Sequence, residues 1–353
     1  VTGKALALEE IAEATSPPSE ERRSDAFRFI PGATAAERPA ELFENFAAQL
    51  FTENLPIRAH LLRDITVSGP HLFLSRGEEL LAESVHPRHS AGAWAEMAGG
   101  PVRTLGEERV WIVAGNGTSN NYWHWLRQAL PAILQSRRFL RSALPGHPAG
   151  LLTPPLGPYQ REALSLAGLG ALPRLELAPG ERVTAPLLAY SEHNGGRGLF
   201  SPTEDRLAVR RRLLSAVPPG PEPPPLYVSR RDATRRPMET EAELEGLLAA
   251  EGVRIVTAGA LGVAGQVALF ARARLIIGLH GAGMTNTLFA PAGAQVLEIA
   301  NASYLNAGPA TVRLSLPTPL WLDIFDSPGA GGAGWRAEPG TILETVRRLR
   351  REV

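Results

Sequence analysis

Short apolar runs alternate with amphipathic stretches along most of this chain, and the rhythm sharpens after residue 108. Residues 109–114, with Val110, Trp111, Ile112 and Val113 in sequence, read as a buried strand. A Gly/Asn/Ser loop follows at 116–121. A helix is predicted over 122–140, where Leu126, Leu130, Ile133 and Leu134 recur at helical spacing. Asn120 or Asn121 can cap its N-terminus, and Pro131 should kink or restart it. Strands are expected near 151–152 and 187–191, with a helix at 159–166 between them.

The second half is more regular. It predicts an Arg-rich helix over 203–216, a strand at 226–229, a helix over 239–251 with Leu244, Leu247 and Leu248 inward, and a strand at 254–256. A helix over 263–271, a strand at 275–278, a Gly-rich turn at 280–286 opening a short helix over 284–289, and a strand at 296–299 complete the alternation. Such a βαβα pattern implies a parallel sheet covered on both faces. A strand at 320–324, a Gly-rich loop at 329–334 and a basic helix over 341–351 close the chain. The first hundred residues carry less pattern. Loops are expected at 17–21 and 31–39, and short strands at 65–68 and 71–74 around Gly69-Pro70. Residues 80–85 suit strand or helix.

Length turns this α/β pattern into two domains, because 353 residues exceed one ordinary core. The expected division is an N-terminal α/β domain over 1–200, a second α/β domain over 201–330, and a tail over 331–353 that packs back on the N-terminal domain. A Pro-rich connector at 218–225 lies near the boundary. With 36 basic and 36 acidic side chains the net charge is zero, so no global field would recruit nucleic acid or an anionic membrane, and any anion must be held locally. The absence of cysteine excludes disulfides, thiolate nucleophiles and Cys-based zinc sites. Residues 1–16 lack the basic start and apolar run of a signal peptide, and no apolar stretch reaches the roughly 18 residues of a spanning helix. A cytoplasmic location is expected, with peripheral attachment at the inner face of the membrane and the oligomeric state left open.

Four segments carry chemistry. In residues 275–286 (LIIGLHGAGMTN) an apolar strand ends in small residues and turns into a helix. Gly281, Ala282 and Gly283 can bring backbone close to a phosphate at the helix N-terminus, with His280 as a donor. The same turn can also be purely structural. Glu298 ends the next predicted strand, where an acid can hold ribose hydroxyls or face solvent. Ser229, Arg230 and Arg231 follow a third strand end, with Arg235 and Arg236 beyond, as phosphate forks or as a solvated basic loop. Finally, residues 120–125 (NNYWHW) open a helix on which His124 and Gln128 share a face. His124 suits a general base or a hydrogen-bonded histidine in an aromatic cluster. Asn121, Trp123, Gln128 and His193, the last in a polar loop at 193–198, are candidates for an acceptor cleft. Asp323 and Asp326 read as structural, and His86 and His89 as surface residues. There is no DxD, HExxH or GxSxG, and no metal site is predicted.

In order along the chain these segments resemble glycosyltransferase family 61, often described as capsular polysaccharide biosynthesis proteins. The resemblance runs from about Val110 to Ala300. It rests on the NYWHW helix start with Leu130-Pro131, the Ser-Arg strand end, Gln266 with Phe270 and Ala273, the HGAGMTN turn, Phe289, Pro291, Gly293 and the VLE strand. It implies a GT-B arrangement, two Rossmann-like domains facing a cleft, and an inverting, metal-independent transfer from a nucleoside-diphosphate sugar, UDP-linked by family preference, to a glycan or other hydroxyl acceptor in bacterial surface polysaccharide synthesis. It places the acceptor side in the domain over 1–200 and a Rossmann-like nucleotide-sugar-binding domain over 201–330. By position it puts His124 on the family's helix-start His, our candidate for the base, and Ser229, Arg230, Gln266, His280, Gly281, Gly283, Asn286 and Glu298 on the donor side. The family often has an acid where this chain has Gln128, and Asn where it has Thr240. Two other readings stand beside it. A nicotinamide-dependent oxidoreductase would share a Gly-rich turn, though this one lacks the third glycine. A non-catalytic nucleotide- or glycan-binding protein of transferase ancestry would fit Gln128.

Overall fold

The computed structural model describes residues 7–34, 40–50, 55–86, 99–196, 202–325 and 334–351. His89, Asp326 and parts of the loops expected at 31–39, 193–198 and 329–334 lie outside them. The chain is α/β and forms two compact units, residues 1–21 with 54–212 and residues 22–53 with 213–353.

The C-terminal unit holds a six-stranded sheet in the order Arg254–Thr257, Leu226–Ser229, Leu275–Leu279, Gln295–Asn301, Pro319–Phe325, Arg28–Pro31, every pair parallel. Its central strands are buried and mostly apolar, as expected of a parallel sheet covered on both faces. Leu226–Ser229, Leu275–Leu279 and Gln295–Asn301 end side by side, the place where open α/β sheets bind ligands.

Both ends of the domain division differ from the sequence expectation. The edge strand is supplied by Arg28–Pro31, so residues 22–53 belong to the C-terminal unit. Thr34 fastens this excursion: its N–H and Oγ1 donate to Asp323 Oδ1 at 3.1 and 3.0 Å. Phe29 also stacks on Phe43, ring centroids 4.2 Å apart. The described part of the tail packs within the C-terminal unit instead. Helix Pro339–Arg350 turns Ile342, Val346 and Leu349 inward at i, i+4, i+7, in one core with Leu244 and Leu248. Each such burial stabilises by roughly 1.5–3 kcal/mol, which holds the helix where its apolar stripe has a partner.

The N-terminal unit has a mixed sheet. Arg182–Ser191, Val110–Val113, Ala149–Thr153 and Arg174–Glu176 run parallel. Ala59–Ser68 joins Arg182–Ser191 antiparallel and carries Phe73–Arg76 on its other side. The helix expected over 122–140 starts on time but is not uniform. Tyr122–His124 is one turn, Trp125–Ala129 is a π-helical turn, and Leu130–Ala143 is α-helical. Pro131 has no N–H to give the carbonyl of Arg127, one turn back. That oxygen accepts instead from Arg206 Nε at 3.0 Å. The Leu130 N–H reaches Trp125 O, the i→i+5 bond of the wider turn. Among the described residues no helix is long and apolar enough to cross a membrane.

Candidate functional site

The Gly-rich turn sits at the centre of the C-terminal sheet. Leu275–Leu279 is buried throughout, and the chain leaves it with the His280 N–H still donating to Ile299 O at 2.8 Å. Gly281 is extended (φ 169°, ψ 176°), and Ala282–Phe289 coils as a 3₁₀ helix. Two predicted donor-side amides fasten that helix. Asn286 Nδ2 donates to Gln266 Oε1 at 2.6 Å and to Gly283 O at 3.1 Å, while Gln266 Nε2 donates to Leu261 O at 3.0 Å. Both side chains are buried, so Gln266 and Asn286 build the turn rather than face a ligand.

Parallel register sets Gly278 beside Glu298, which brings the Glu298 carboxylate to the ring of His280. Oε1 accepts from Nδ1 at 2.6 Å, with the acid 1% and the imidazole 9% exposed. Glu298 therefore does not present an oxygen to a ribose. The strand continues to Asn301, three residues past Glu298, so the acid lies inside the sheet rather than at its end. Its effect is to fix the proton on Nδ1 and direct Nε2 outward.

A pocket opens past these strand ends, lined by Arg230, Arg236, His280, Asn301, Ser303 and Tyr304, with Leu279 and Trp335 as its apolar part. The Arg230 guanidinium donates to the His280 carbonyl and to Arg235 O. Burial pushes its pKa down, and the neighbouring Arg236 pushes it further. Arg236 has a left-handed backbone (φ +54°), an unusual state for a side chain of this size. Trp335 Nε1 donates to its carbonyl at 3.2 Å, and its guanidinium carbon lies 3.7 Å over the Tyr304 ring. Asn301 Oδ1 accepts from Ser303 N and Oγ at 3.0 and 2.8 Å, shaping the turn that presents Tyr304. Tyr304 meets His280 edge-on at 5.7 Å and is 38% exposed. Two mutually repelling guanidinium groups, an imidazole and an accessible aromatic ring stand together, a set whose chemistry suits an anion attached to a flat group.

The other donor-side candidates have structural partners. Ser229 Oγ donates to Glu245 Oε1 at 2.6 Å. The space above Gly281 is filled by the Arg230 guanidinium, and a Cβ at Gly283 would press on Val228 Cγ1 at 3.0 Å. Both glycines admit protein neighbours rather than a ligand. Asn301, Ser303, Tyr304 and Trp335 are pocket residues that the sequence did not single out. Arg236 was legible as part of the basic run, and Ser303-Tyr304 lies just past a strand end. Nothing in the sequence links Trp335 to either.

In the N-terminal unit, Asn121 is the cap of the aromatic helix start, its Oδ1 accepting from Trp123 N at 2.9 Å and His124 N at 3.4 Å. His124 and Gln128 meet as their spacing predicts, with Nδ1 and Oε1 2.6 Å apart. An amide oxygen only accepts, so this contact places a proton on Nδ1. Trp123, His124 and Gln128 are all buried. His86 is buried too, its ring 5.4 Å from that of His124, and is no surface residue. His193 is not at an open cleft: it is fully buried, 3.9 Å from Asp205 Oδ2. Burial pushes its imidazole down to about 4 despite that carboxylate. The turn after Arg182–Ser191 folds inward, with the His193 N–H donating to Ser191 Oγ at 3.3 Å. Among the described residues no group of three or more His, Cys, Asp or Glu could hold a metal ion.

The sequence model of the family described as Glycosyltransferase 61 matches residues 122–297, from the start of the aromatic helix to the residue before Glu298. The protein is a glycosyltransferase. It belongs to glycosyltransferase family 61, as the order of its motifs implies. Among solved structures it is similar to an E. coli heptosyltransferase, WaaC with ADP, at 12% identity and a TM-score of 0.32, over 69% of this chain and 99% of that one. A search of curated proteins finds no match.

Proposed function

We propose that the protein is an inverting glycosyltransferase that takes its sugar from a nucleoside diphosphate. The observation that carries this reading is the pocket at the strand ends, where Arg230, Arg236 and His280 converge beside Tyr304. The diphosphate lies against the two guanidinium groups and His280 Nε2, and the base or ribose lies against Tyr304. As the bond from the anomeric carbon to the phosphate oxygen breaks, these groups offset the charge left on the diphosphate, so the reading needs no divalent cation. The acceptor hydroxyl attacks the opposite face of that carbon and loses its proton to a base. His124 is the base we propose, because it stands at the helix start that the family resemblance singles out and Gln128 Oε1 holds its ring by Nδ1. A uridine base, a glycan acceptor, a role in bacterial surface polysaccharide synthesis and a cytoplasmic location, at the inner face of the membrane or free of it, rest on the family resemblance alone.

The test is thermal stabilisation of the wild type and of His280→Ala by a series of nucleoside diphosphates and nucleotide sugars, with and without EDTA. One nucleotide should raise the melting temperature of the wild type, EDTA should not change the rise, and the variant should lose it. A folded wild type that responds to none of them would overturn the donor assignment.

A further inference from the structure

A second concave site lies in the N-terminal unit, between one face of helix Leu130–Ala143 and one face of helix Glu204–Ala216. Arg137, Arg138 and Arg141 come from the first helix, and Arg211 and Arg212 from the second. Leu134 and Ala208 are the apolar part of the site's lining. Two carboxylates line it, and each already has a guanidinium partner. Buried Asp205 takes both arms of Arg138, at 2.5 and 3.2 Å, and also accepts from Ser19 Oγ at 2.5 Å. Glu204 pairs with Arg211. Arg212 Nη1 donates to the Ala167 carbonyl at 2.8 Å, which leaves its charge in place.

Five arginines against two carboxylates leave an excess of positive charge in one groove of a chain whose net charge is zero. Gathering like charges across a concave surface is unfavourable unless something offsets them. Arg137 registers the crowding: burial first, then Arg212 and Arg141, push its pKa down. Planar guanidinium forks on two facing helices suit a tetrahedral anion, whose oxygens can accept from several forks at once. A solvated basic face would instead spread its charges outward, as on a convex helix. The zero net charge of the chain offers no extended field for a nucleic-acid backbone, and forks clustered on two helices suit a single anionic group.

We propose that this groove binds a phosphate group, through Arg137, Arg141 and Arg212, with Arg138 and Arg211 held in place by Asp205 and Glu204. The phosphate can belong to a soluble ligand or to a lipid headgroup. The site is on the other unit from Arg230 and His280, and it stands whether or not the donor reading does.

The full chain is titrated calorimetrically with inorganic phosphate and with pyrophosphate, as wild type, as His280→Ala and as Arg137→Gln/Arg141→Gln. Arg141→Glu, at an exposed position, serves as a second variant should the double variant fold poorly, and thermal melts establish folding throughout. In parallel, each protein is sedimented with phosphatidylcholine vesicles with and without phosphatidic acid. The expected result is binding that survives His280→Ala and weakens about tenfold or more in the groove variants. Binding of free phosphate alone assigns a soluble ligand. Sedimentation only with phosphatidic acid, lost in the groove variants, assigns a lipid headgroup. The proposal is overturned if the groove variants bind as the wild type does, if only His280→Ala abolishes binding, or if the folded wild type binds in neither arm.

Discussion

Glu298 and His280 form a part-buried pair, carboxylate Oε1 to imidazole Nδ1 at 2.6 Å, and this pair decides which nitrogen faces the pocket at the strand ends. Removing the acceptor should cost both stability and orientation. Glu298→Ala leaves a buried ring nitrogen without its partner, a loss of about 1.5–3 kcal/mol. Glu298→Gln keeps an acceptor oxygen in place. The alanine variant should therefore unfold at lower denaturant and bind nucleoside diphosphate more weakly than the glutamine variant. Equal nucleotide affinity in wild type and Glu298→Ala would show that His280 is not held for the ligand.

Gly281 makes room for Arg230, which yields a different prediction from a glycine that touches the ligand. Its φ of 169° is open to any residue, so Gly281→Ala carries no backbone strain. The new methyl meets the end of the Arg230 side chain, which can swing away. Stability should change by less than about 1 kcal/mol, while nucleotide affinity falls as far as in Arg230→Ala. The double variant should be no weaker than either single one. Additive losses would mean that the glycine meets the ligand directly.

The parallel sheet behind this pocket was legible because its strands are buried and read as short, mostly apolar runs at 226–229, 275–278 and 296–299. The positions of Arg230 and His280 followed from those strand ends. The partner of His280 did not follow, because strand register is not written in local pattern: a strand expected to stop at 299 runs to Asn301 and carries Glu298 inside the sheet. Arg28–Pro31 was missed for a related reason. Four residues ending in proline give little strand signal, and their partner lies almost three hundred positions away. Ser229, Gln266 and Asn286 have the chemistry of ligand contacts, yet Glu245, Leu261 and Gly283 already bind them. The π-helical turn at Trp125–Ala129 had one trace in the sequence, the proline at 131, which marked a disturbance without giving its form.

Gln128 does the orienting work of an acid without its charge. Its Oε1 meets His124 Nδ1 at 2.6 Å, so Gln128→Glu should preserve the contact and add a negative charge beside the ring. The charge stabilises the imidazolium, and the base then becomes available only at higher pH. If His124 takes the acceptor proton, the acidic limb of the pH–rate profile should move up by roughly a pH unit, whereas Gln128→Leu should lower kcat at every pH. An unmoved limb in Gln128→Glu would remove His124 from the role of base.

His193 links acid sensitivity to the core of the N-terminal unit. Burial lowers its imidazole from 6.5 to about 4, so between these values the unfolded chain binds a proton that the folded chain does not. Stability contributed by the neutral ring is complete above about 6.5 and falls as the pH drops toward 4. The slope is about 1.4 kcal/mol per pH unit, on the order of 3 kcal/mol over the window. His193→Gln, of similar size and without a titrating group, should flatten the pH dependence of denaturant unfolding across that window. Carboxylates that titrate lower down act on both proteins alike, so the difference between the two curves isolates the histidine. Parallel curves from pH 7 to pH 4 would mean that His193 takes up its proton in the folded unit as readily as in the unfolded chain, with Asp205 close enough to hold the charge.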